Sequence, residues 1–199
     1  LHMMDYQAIG LGDFGKPGNY FARQIGRWSK QYLADDLAGR NDDMDALVAW
    51  LPENIPPGDD TSVVHGDFRC DNMIFHPTEP KILAVLDWEL STLGHPLADF
   101  SYHCMSWHIP ASLGRGIAGL DLGALGIPDE DTYIRRYCER TGIATPEALR
   151  ADWNFYLAYN MFRIAAILQG IARRVVDGIA SSEQARQAGA GARPMAELG

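Results

Sequence analysis

Cysteine is scarce in this chain, with three residues among 199, at Cys70, Cys104 and Cys138. Their number is odd, they are widely spaced and no Cys-x-x-Cys pair occurs, so the sequence supports neither a disulfide framework nor a structural zinc site. Cys70 has no evident base partner and is interpreted as a packing residue rather than a nucleophile.

Long apolar runs and an excess of basic charge are also missing. No apolar stretch reaches the roughly eighteen residues that a membrane span needs, and the first residues lack the features of a signal peptide. The formal net charge of -9 argues against the basic surface that binds nucleic-acid phosphates. We therefore expect a cytoplasmic protein with neither nucleic acid nor membrane among its partners. Hydrophobic residues make up 47% of the chain, which is enough for a sizeable core.

The most informative segment is a polar run that follows a short β-prone stretch. Residues 62–64 (Ser-Val-Val) are typical of a strand, and the polar run starts directly after them. The run reads His65-Gly66-Asp67-Phe68-Arg69-Cys70-Asp71-Asn72. The pattern therefore predicts that Asp67 lies just past a strand end, in a loop.

A β-hairpin is predicted immediately after this loop. Residues 73–75 and 82–86 are apolar, and turn-forming residues lie between them. An antiparallel pair would bring Asp87 back beside Asn72, at the open end of the hairpin. An amide oxygen and a carboxylate at that position suit Mg²⁺, which is a hard cation that also takes phosphate oxygens and water as ligands. Asp67 would then be free to accept a proton from a substrate hydroxyl that attacks a γ-phosphate.

At these residues the sequence resembles the aminoglycoside phosphotransferase and choline kinase family, small-molecule kinases with a protein-kinase-like fold. The family carries a His-x-Asp-x-x-x-x-Asn loop and a downstream Asp in an apolar-Asp-aromatic-acid string, here residues 86–89. The resemblance implies ATP and Mg²⁺ as cofactors, a small-molecule hydroxyl substrate, and Asp67 as the catalytic base. It implies further that Asn72 and Asp87 hold Mg²⁺ and the nucleotide.

The same resemblance assigns three supporting residues. His65 would brace the catalytic loop, and Arg69 would neutralise phosphate charge at the position where protein kinases have a lysine. Asp99, at the end of the segment 94–99, would steady the catalytic loop by hydrogen bonds. Glu89 has two possible roles, one near the metal and one as a cap of the next segment, and we prefer the second.

A narrower resemblance is to the kinase-like domains fused to acyl-CoA dehydrogenases. It is carried by residues 12–20, by Gln24 and Trp28, by residues 65–69, and by Gln169-Gly170. It implies a hydroxylated acyl-CoA as the phosphate acceptor rather than an antibiotic. The identity of the acceptor, the choice between ATP and GTP, and the oligomeric state are not readable from the sequence.

The nucleotide-binding half of a kinase is not recognised in this sequence. No strand of the Val-Ala-x-Lys type precedes the catalytic loop, so we expect residues 1–199 to form the C-terminal catalytic and substrate-binding lobe, with the N-terminal nucleotide lobe absent. Residues 10–15 match Gly-x-Gly-x-x-Gly, but no strand precedes them and no helix follows directly. We expect them to form a surface loop near the substrate cleft.

The expected fold class is α+β, mainly helical, with a small β-hairpin at the catalytic loop. Apolar spacing predicts an amphipathic helix over residues 20–38, and Asn41 is a candidate cap for a second helix that ends before Pro52. A third helix is expected from about Leu97. The remaining expectations are a loop over residues 109–127, helices from Pro128 to Gly142 and from Pro146 to about Asp177, and a loose tail or short helix after Ser181.

Two other functions remain open at this stage. The first is a non-catalytic, kinase-like binding module. The second is a metal-dependent hydrolase with His65, Asp67 and Asp87 as ligands, which leaves Asn72 unexplained. A helical zinc site is disfavoured because the step from His103 to His108 does not match the spacing of four residues that two ligands on one helix face require.

Overall fold

The computed structural model describes residues 1–34, 39–114, 116–179 and 182–199, which form a mainly helical α+β fold. The α-helices are α1 (Tyr20–Leu33), α2 (Asp42–Glu53), α3 (Pro96–Cys104), α4 (Glu130–Thr141), α5 (Pro146–Ala151), α6 (Trp153–Val176), α7 (Glu183–Ala190) and α8 (Ala192–Leu198). The strands are β1 (Ser62–Val64), β2 (Met73–Phe75), β3 (Ile82–Val85) and β4 (Thr92–Gly94). Short 3₁₀ turns span Cys70–Asn72, Trp88–Leu90, Met105–Trp107 and Ala111–Leu113.

Several helix ends follow from side chains that satisfy free backbone groups. The Asn41 side chain accepts a hydrogen bond from the Asp43 backbone nitrogen at 2.8 Å and caps α2, as predicted. The Thr145 hydroxyl accepts one from the Ala148 nitrogen at the start of α5. Gly142 ends α4 with a positive φ of 65°, a conformation that glycine adopts without steric cost.

The hydrophobic core is built around α6. The ring of Phe21 on α1 lies 5.1 Å from that of Phe155 and 5.0 Å from that of Tyr159, both on α6. Helices α2, α3, α7 and α8 also contact α6. Because α3 contacts both α6 and β1, the core fixes the position of the loop that follows β1.

Two small antiparallel sheets flank that loop. Strands β2 and β3 form the predicted hairpin, with Met73 opposite Val85 and Ile74 opposite Ala84. Strand β1 pairs with β4, with Ser62 opposite Gly94 and Val64 opposite Thr92. Strand β4 is not predicted from the sequence, because a strand of three residues carries little periodicity of its own.

The structure corrects four of the predicted boundaries. Helix α2 continues through Pro52 to Glu53, since the fixed φ of proline is itself helical. The helix expected from Pro146 is divided at Asp152 into α5 and α6. The predicted helix over residues 20–38 extends to Leu33, and residues 35–38 lie outside the described part of the chain. The tail contains two helices, α7 and α8, of which α8 buries Met195 and Ala196.

The prediction that the glycine-rich segment 10–15 forms a loop agrees with the structure. Residues 1–19 contain turns and no strand, including the glycine-rich segment 10–15. Gly15 lies so close to β4 that a Cβ atom there would be 2.6 Å from the Leu93 backbone nitrogen. Among the described helices, none is both long and apolar enough to cross a membrane.

Candidate active site

The backbone of the loop after β1 is hydrogen-bonded by a carboxylate on α3. The two oxygens of Asp99 accept hydrogen bonds from the backbone nitrogens of His65 and Gly66, each at 2.8 Å. The His2 ring lies 3.2 Å from the same carboxylate. The predicted role of Asp99 in steadying the loop is confirmed by these bonds. Burial alone would raise the pKa of Asp99, but the hydrogen bonds from His2, His65 and Gly66 together hold it below its usual value.

His65 connects the loop to the end of β3. Its side chain is fully buried, and Nε2 donates to the Leu86 carbonyl at 2.9 Å. Nδ1 accepts from the Asp67 backbone nitrogen at 3.3 Å, which fixes the tautomer with the proton on Nε2. Both ring nitrogens are therefore used within the protein, and neither is available to a metal ion.

Asp67 lies at the centre of a cluster of donors. The Asn72 side-chain nitrogen donates to the Asp67 backbone carbonyl and to the Asp67 Oδ2, each at 2.9 Å. The Tyr102 hydroxyl donates to Oδ1 at 2.5 Å. The Arg69 Nε lies 3.2 Å from Oδ2. The Asp67 side chain is 16% exposed, so its carboxylate is fixed by the protein and still reachable from outside.

Arg69 brings positive charge to the same place. Besides its contact with Asp67, its Nη1 lies 3.4 Å from the Asp71 carboxylate. Neither Nε nor Nη1 forms a hydrogen bond of good geometry, although both atoms are shielded from solvent. A guanidinium that has unused N–H donors and lies beside a carboxylate is suited to bind a phosphate oxygen.

The hairpin places Asn72 and Asp87 at its open end, as predicted. The Leu86 backbone nitrogen donates to the Asn72 carbonyl at 2.8 Å, so Asp87 follows directly after that contact. Because the side-chain nitrogen of Asn72 is taken by Asp67, its amide oxygen is the atom left for a cation. Asp87 is exposed and adopts a left-handed backbone conformation with φ 65°. An amide oxygen and a carboxylate fit Mg²⁺, and within the described residues no cluster of three His, Cys, Asp or Glu offers a different metal site.

Two residues of this region were missed by the sequence analysis. Tyr102 on α3 contacts Asp67, and Arg163 on α6 donates to the Gly66 carbonyl at 2.6 Å. Arg163 also lies over the Tyr102 ring, with its Cζ atom 5.3 Å from the ring centroid. A signal for Arg163 did exist, since it is the single charged residue within residues 153–172. Such an isolated charge in a core helix indicates a specific buried partner.

Other polar residues singled out in the sequence lie apart from one another. His95 accepts from the Leu97 nitrogen and caps α3, and burial lowers its pKa to about 4. His103 packs against the Phe68 ring at 5.6 Å, and His108 lies 2.7 Å from Glu130. Glu89 lies exposed in the 3₁₀ turn Trp88–Leu90.

The structure corrects the interpretation of Cys70. The residue as a whole is exposed rather than packed, although its sulfur atom is partly buried. This partial burial raises the pKa of the thiol, and the nearby negative charge of Asp71 raises it further. A raised pKa leaves less thiolate at neutral pH, so Cys70 remains a poor nucleophile.

Comparison with known proteins agrees with this geometry. The Phosphotransferase enzyme family matches residues 1–151. Among curated proteins, the chain is 46% identical to Acyl-CoA dehydrogenase family member 10 of Mus musculus, over 100% of this chain and 18% of that protein. It is 42% identical to Acyl-CoA dehydrogenase family member 11 of Gallus gallus, over 100% of this chain and 26% of that protein.

A solved structure is also similar. A crystal structure from Ralstonia eutropha JMP134, described as a proposed aminoglycoside phosphotransferase, superposes with a TM-score of 0.92 at 64% sequence identity. The match covers 99% of this chain and 59% of that one. The chain thus spans about a fifth to a quarter of the length of the curated relatives.

These similarities confirm two of the expectations drawn from the sequence. The fold is the mainly helical, kinase-like α+β fold that was expected. The resemblance to aminoglycoside phosphotransferases and to the kinase-like domains of acyl-CoA dehydrogenase proteins is also confirmed. Since the family match spans most of its length, the chain belongs to the phosphotransferase enzyme family.

Proposed function

We propose that this chain carries the catalytic residues of an ATP-dependent phosphotransferase that transfers the γ-phosphate to a hydroxyl of a small molecule. The observation that carries the proposal is the position of Asp67. This residue lies in the loop that follows β1, and its carboxylate is oriented by Asn72 and Tyr102 and partly exposed. A carboxylate placed in this way can orient a hydroxyl and accept its proton as the oxygen attacks phosphorus.

Asn72 and Asp87 are the residues that would hold Mg²⁺ together with the nucleotide. Their oxygens match the ligand preference of this ion, which keeps several waters and shares phosphate oxygens. When bound, the ion would neutralise charge that develops on the phosphates. The exposure of Asp87, next to the contact between Leu86 and Asn72, supports this role.

Arg69 and His65 have supporting roles in the proposal. Arg69 would place its guanidinium beside the transferred phosphate, and its unused donors support that role. His65 would keep the catalytic loop and the end of β3 at a fixed separation through its two ring hydrogen bonds. Catalysis would then depend mainly on positioning and charge neutralisation.

We further propose that residues 1–199 are a C-terminal lobe and that a nucleotide lobe packs on the hairpin. The surface of β2 and β3 supports this, because its apolar side chains are left exposed on both strands. The exposed residues include Ile74, Phe75, Ile82 and Leu83. An exposed, apolar two-stranded sheet is typical of a surface that another element covers.

The acceptor is proposed to be a hydroxylated acyl-CoA. This choice rests on the curated relatives, which are named as acyl-CoA dehydrogenase family members. An aminoglycoside is the alternative, because the similar crystal structure is described as a proposed aminoglycoside phosphotransferase. Both acceptors supply the hydroxyl that the mechanism requires.

The test is ADP release from Mg²⁺-ATP by the chain joined to a nucleotide lobe, with hydroxyacyl-CoAs, aminoglycosides and amino alcohols as acceptors. Asp67→Ala should abolish acceptor-dependent ADP release while nucleotide binding survives, because Asp67 acts on the acceptor. Asp87→Ala should weaken Mg²⁺-ATP binding itself. Glu139→Ala, on the exposed face of α4 and away from the hairpin, is the control and should change neither quantity. Equal loss of nucleotide binding in the Asp67 and Asp87 variants would contradict the proposed division of roles.

Two alternatives are separated by the same experiment. A non-catalytic binding module would bind nucleotide or acceptor and release no ADP with any acceptor. A metal-dependent hydrolase is disfavoured because both nitrogens of His65, one of its three proposed ligands, are engaged within the protein. Hydrolysis of an ester with a divalent metal and without nucleotide would support the hydrolase instead.

A further inference from the structure

Tyr102 is joined to Asp67 by a hydrogen bond that no sequence motif indicates. Its hydroxyl donates to the Asp67 Oδ1 at 2.5 Å, and the residue is 7% exposed. Tyr102 lies on α3, three positions after Asp99, and therefore on the same side of the helix about one turn away. One helix thus holds the backbone of the catalytic loop through Asp99 and the carboxylate of Asp67 through Tyr102.

The proton in this hydrogen bond belongs to tyrosine. Burial is the largest cause that raises the pKa of Tyr102, and the hydrogen bond and negative charge of Asp67 raise it further. At neutral pH the Tyr102 hydroxyl therefore keeps its proton and donates a hydrogen bond to Oδ1 of Asp67. Tyr102 does not compete with Asp67 for the role of base.

The ring of Tyr102 is fixed in its turn by Arg163. The Arg163 guanidinium lies over the ring, and it donates to the Gly66 carbonyl, which directly precedes Asp67. Arg163 is itself buried, at 8% exposure. The hydroxyl of Tyr102 is therefore presented to Asp67 by a rigid support on α3 and α6 rather than by a mobile surface side chain.

We propose that Tyr102 is a positioning residue of the phosphotransferase reaction, one that fixes the plane of the Asp67 carboxylate for the acceptor hydroxyl. Asn72 holds one carboxylate oxygen and Tyr102 holds the other, so rotation of the carboxylate breaks at least one hydrogen bond. The lone pairs that remain on the two oxygens then have fixed directions. This inference rests on the proposed function, because it assigns Tyr102 to the same reaction.

The experiment compares Tyr102→Phe with Tyr32→Phe in the chain joined to a nucleotide lobe, as in the test of the proposed function. Tyr32 is a matched control, because its buried ring also donates a hydroxyl hydrogen bond to an aspartate, Asp45, at 2.8 Å, and this pair lies between α1 and α2. Tyr102→Phe should lower kcat about ten-fold or more and change the KM for the acceptor less than about two-fold. Tyr32→Phe should leave both kcat and the KM for the acceptor unchanged.

A second measurement keeps this inference separate from the proposed function. The ring carbon of Tyr102 that carries the hydroxyl has an NMR chemical shift that reports its hydrogen bond, and the Tyr102→Phe variant assigns the signal. Asp67→Asn should move this signal at neutral pH, whether or not the protein transfers phosphate. An unmoved signal would overturn the inference, as would an unchanged kcat in Tyr102→Phe or an equal loss of kcat in both tyrosine variants. The wild-type protein could transfer no phosphate while Asp67→Asn still moves the signal. That result would refute both the proposed function and the role of Tyr102 in the reaction, and only the hydrogen bond between Tyr102 and Asp67 would stand.

Discussion

Replacement of Asp99 by asparagine should destabilise the whole fold, because a buried charge there accepts two backbone hydrogen bonds. The bonds from His65 and Gly66 are each 2.8 Å long, and a hydrogen bond to a charged group contributes about 1.5–3 kcal/mol. Asparagine keeps one carbonyl oxygen but turns an NH₂ group toward one of the two backbone donors. We expect Asp99→Asn to lower the free energy of unfolding by about 2–4 kcal/mol.

The assay is equilibrium urea unfolding, with thermal unfolding as a second measure. For a chain of this size the expected loss corresponds to a decrease in Tm of about 5–15 °C. Asp5→Asn is the matched control, because the Asp5 carboxylate also accepts two backbone hydrogen bonds, from Gln7 and Ala8, but is exposed. It should change stability by about 0.5 kcal/mol or less.

The pH dependence of the Asp99 contribution follows from the direction of its pKa shift. The pKa of Asp99 in the fold is below its usual value, so its contribution to stability is present above the unfolded pKa of about 3.9 and is lost as pH falls through the lower folded value. The difference in stability between wild type and Asp99→Asn should therefore shrink as pH falls below about 4. A difference of less than about 1 kcal/mol at neutral pH, or one equal to that of Asp5→Asn, would refute the argument.

Two further predictions concern the residues around Gly66. Gly66→Ala should lower the free energy of unfolding, measured with urea, by about 2 kcal/mol or more. The reason is that φ at Gly66 is 86° and the new Cβ would lie 2.6 Å from the Leu90 carbonyl oxygen. A stability equal to wild type would contradict this close approach. Arg163→Met should leave the Gly66 carbonyl without its donor and cost about 1–3 kcal/mol in the same measurement. If the proposed function holds, its kcat should also fall, and full activity in this variant would show that the support beneath Tyr102 is dispensable.

The local features of this chain could be predicted from its sequence. The hairpin follows from two apolar runs around a turn, and the caps Asn41 and Thr145 follow from residue type and position. The order of Asp67, Asn72 and Asp87 along the chain was enough to infer that the last two lie at one end of that hairpin. These inferences depend on neighbours in sequence, where pattern and geometry are directly connected.

The contacts that no pattern indicated are all made between distant segments. Strand β4 is a strand because β1 pairs with it, and its three residues alone do not predict that pairing. Tyr102 reaches Asp67 only because α3 packs against β1 and the loop that follows it. Arg163 reaches Gly66 only because α6 packs against α3. The break at Asp152 likewise separates two stretches that each favour helix, so helix propensity could not locate it.

The pairing of β1 with β4 has a consequence for the order of folding. Each residue proposed to act on phosphate or metal lies in the segment between these two strands, which closes as a single loop when Val64 meets Thr92. The hairpin inside that loop can form early because its contacts are local, whereas β1 and β4 meet only after the entropy of the longer closure has been overcome. We therefore expect the β1–β4 pairing, which closes this segment, to form after the hairpin. Hydrogen exchange at the backbone amides of β1 and β4 would report that pairing directly.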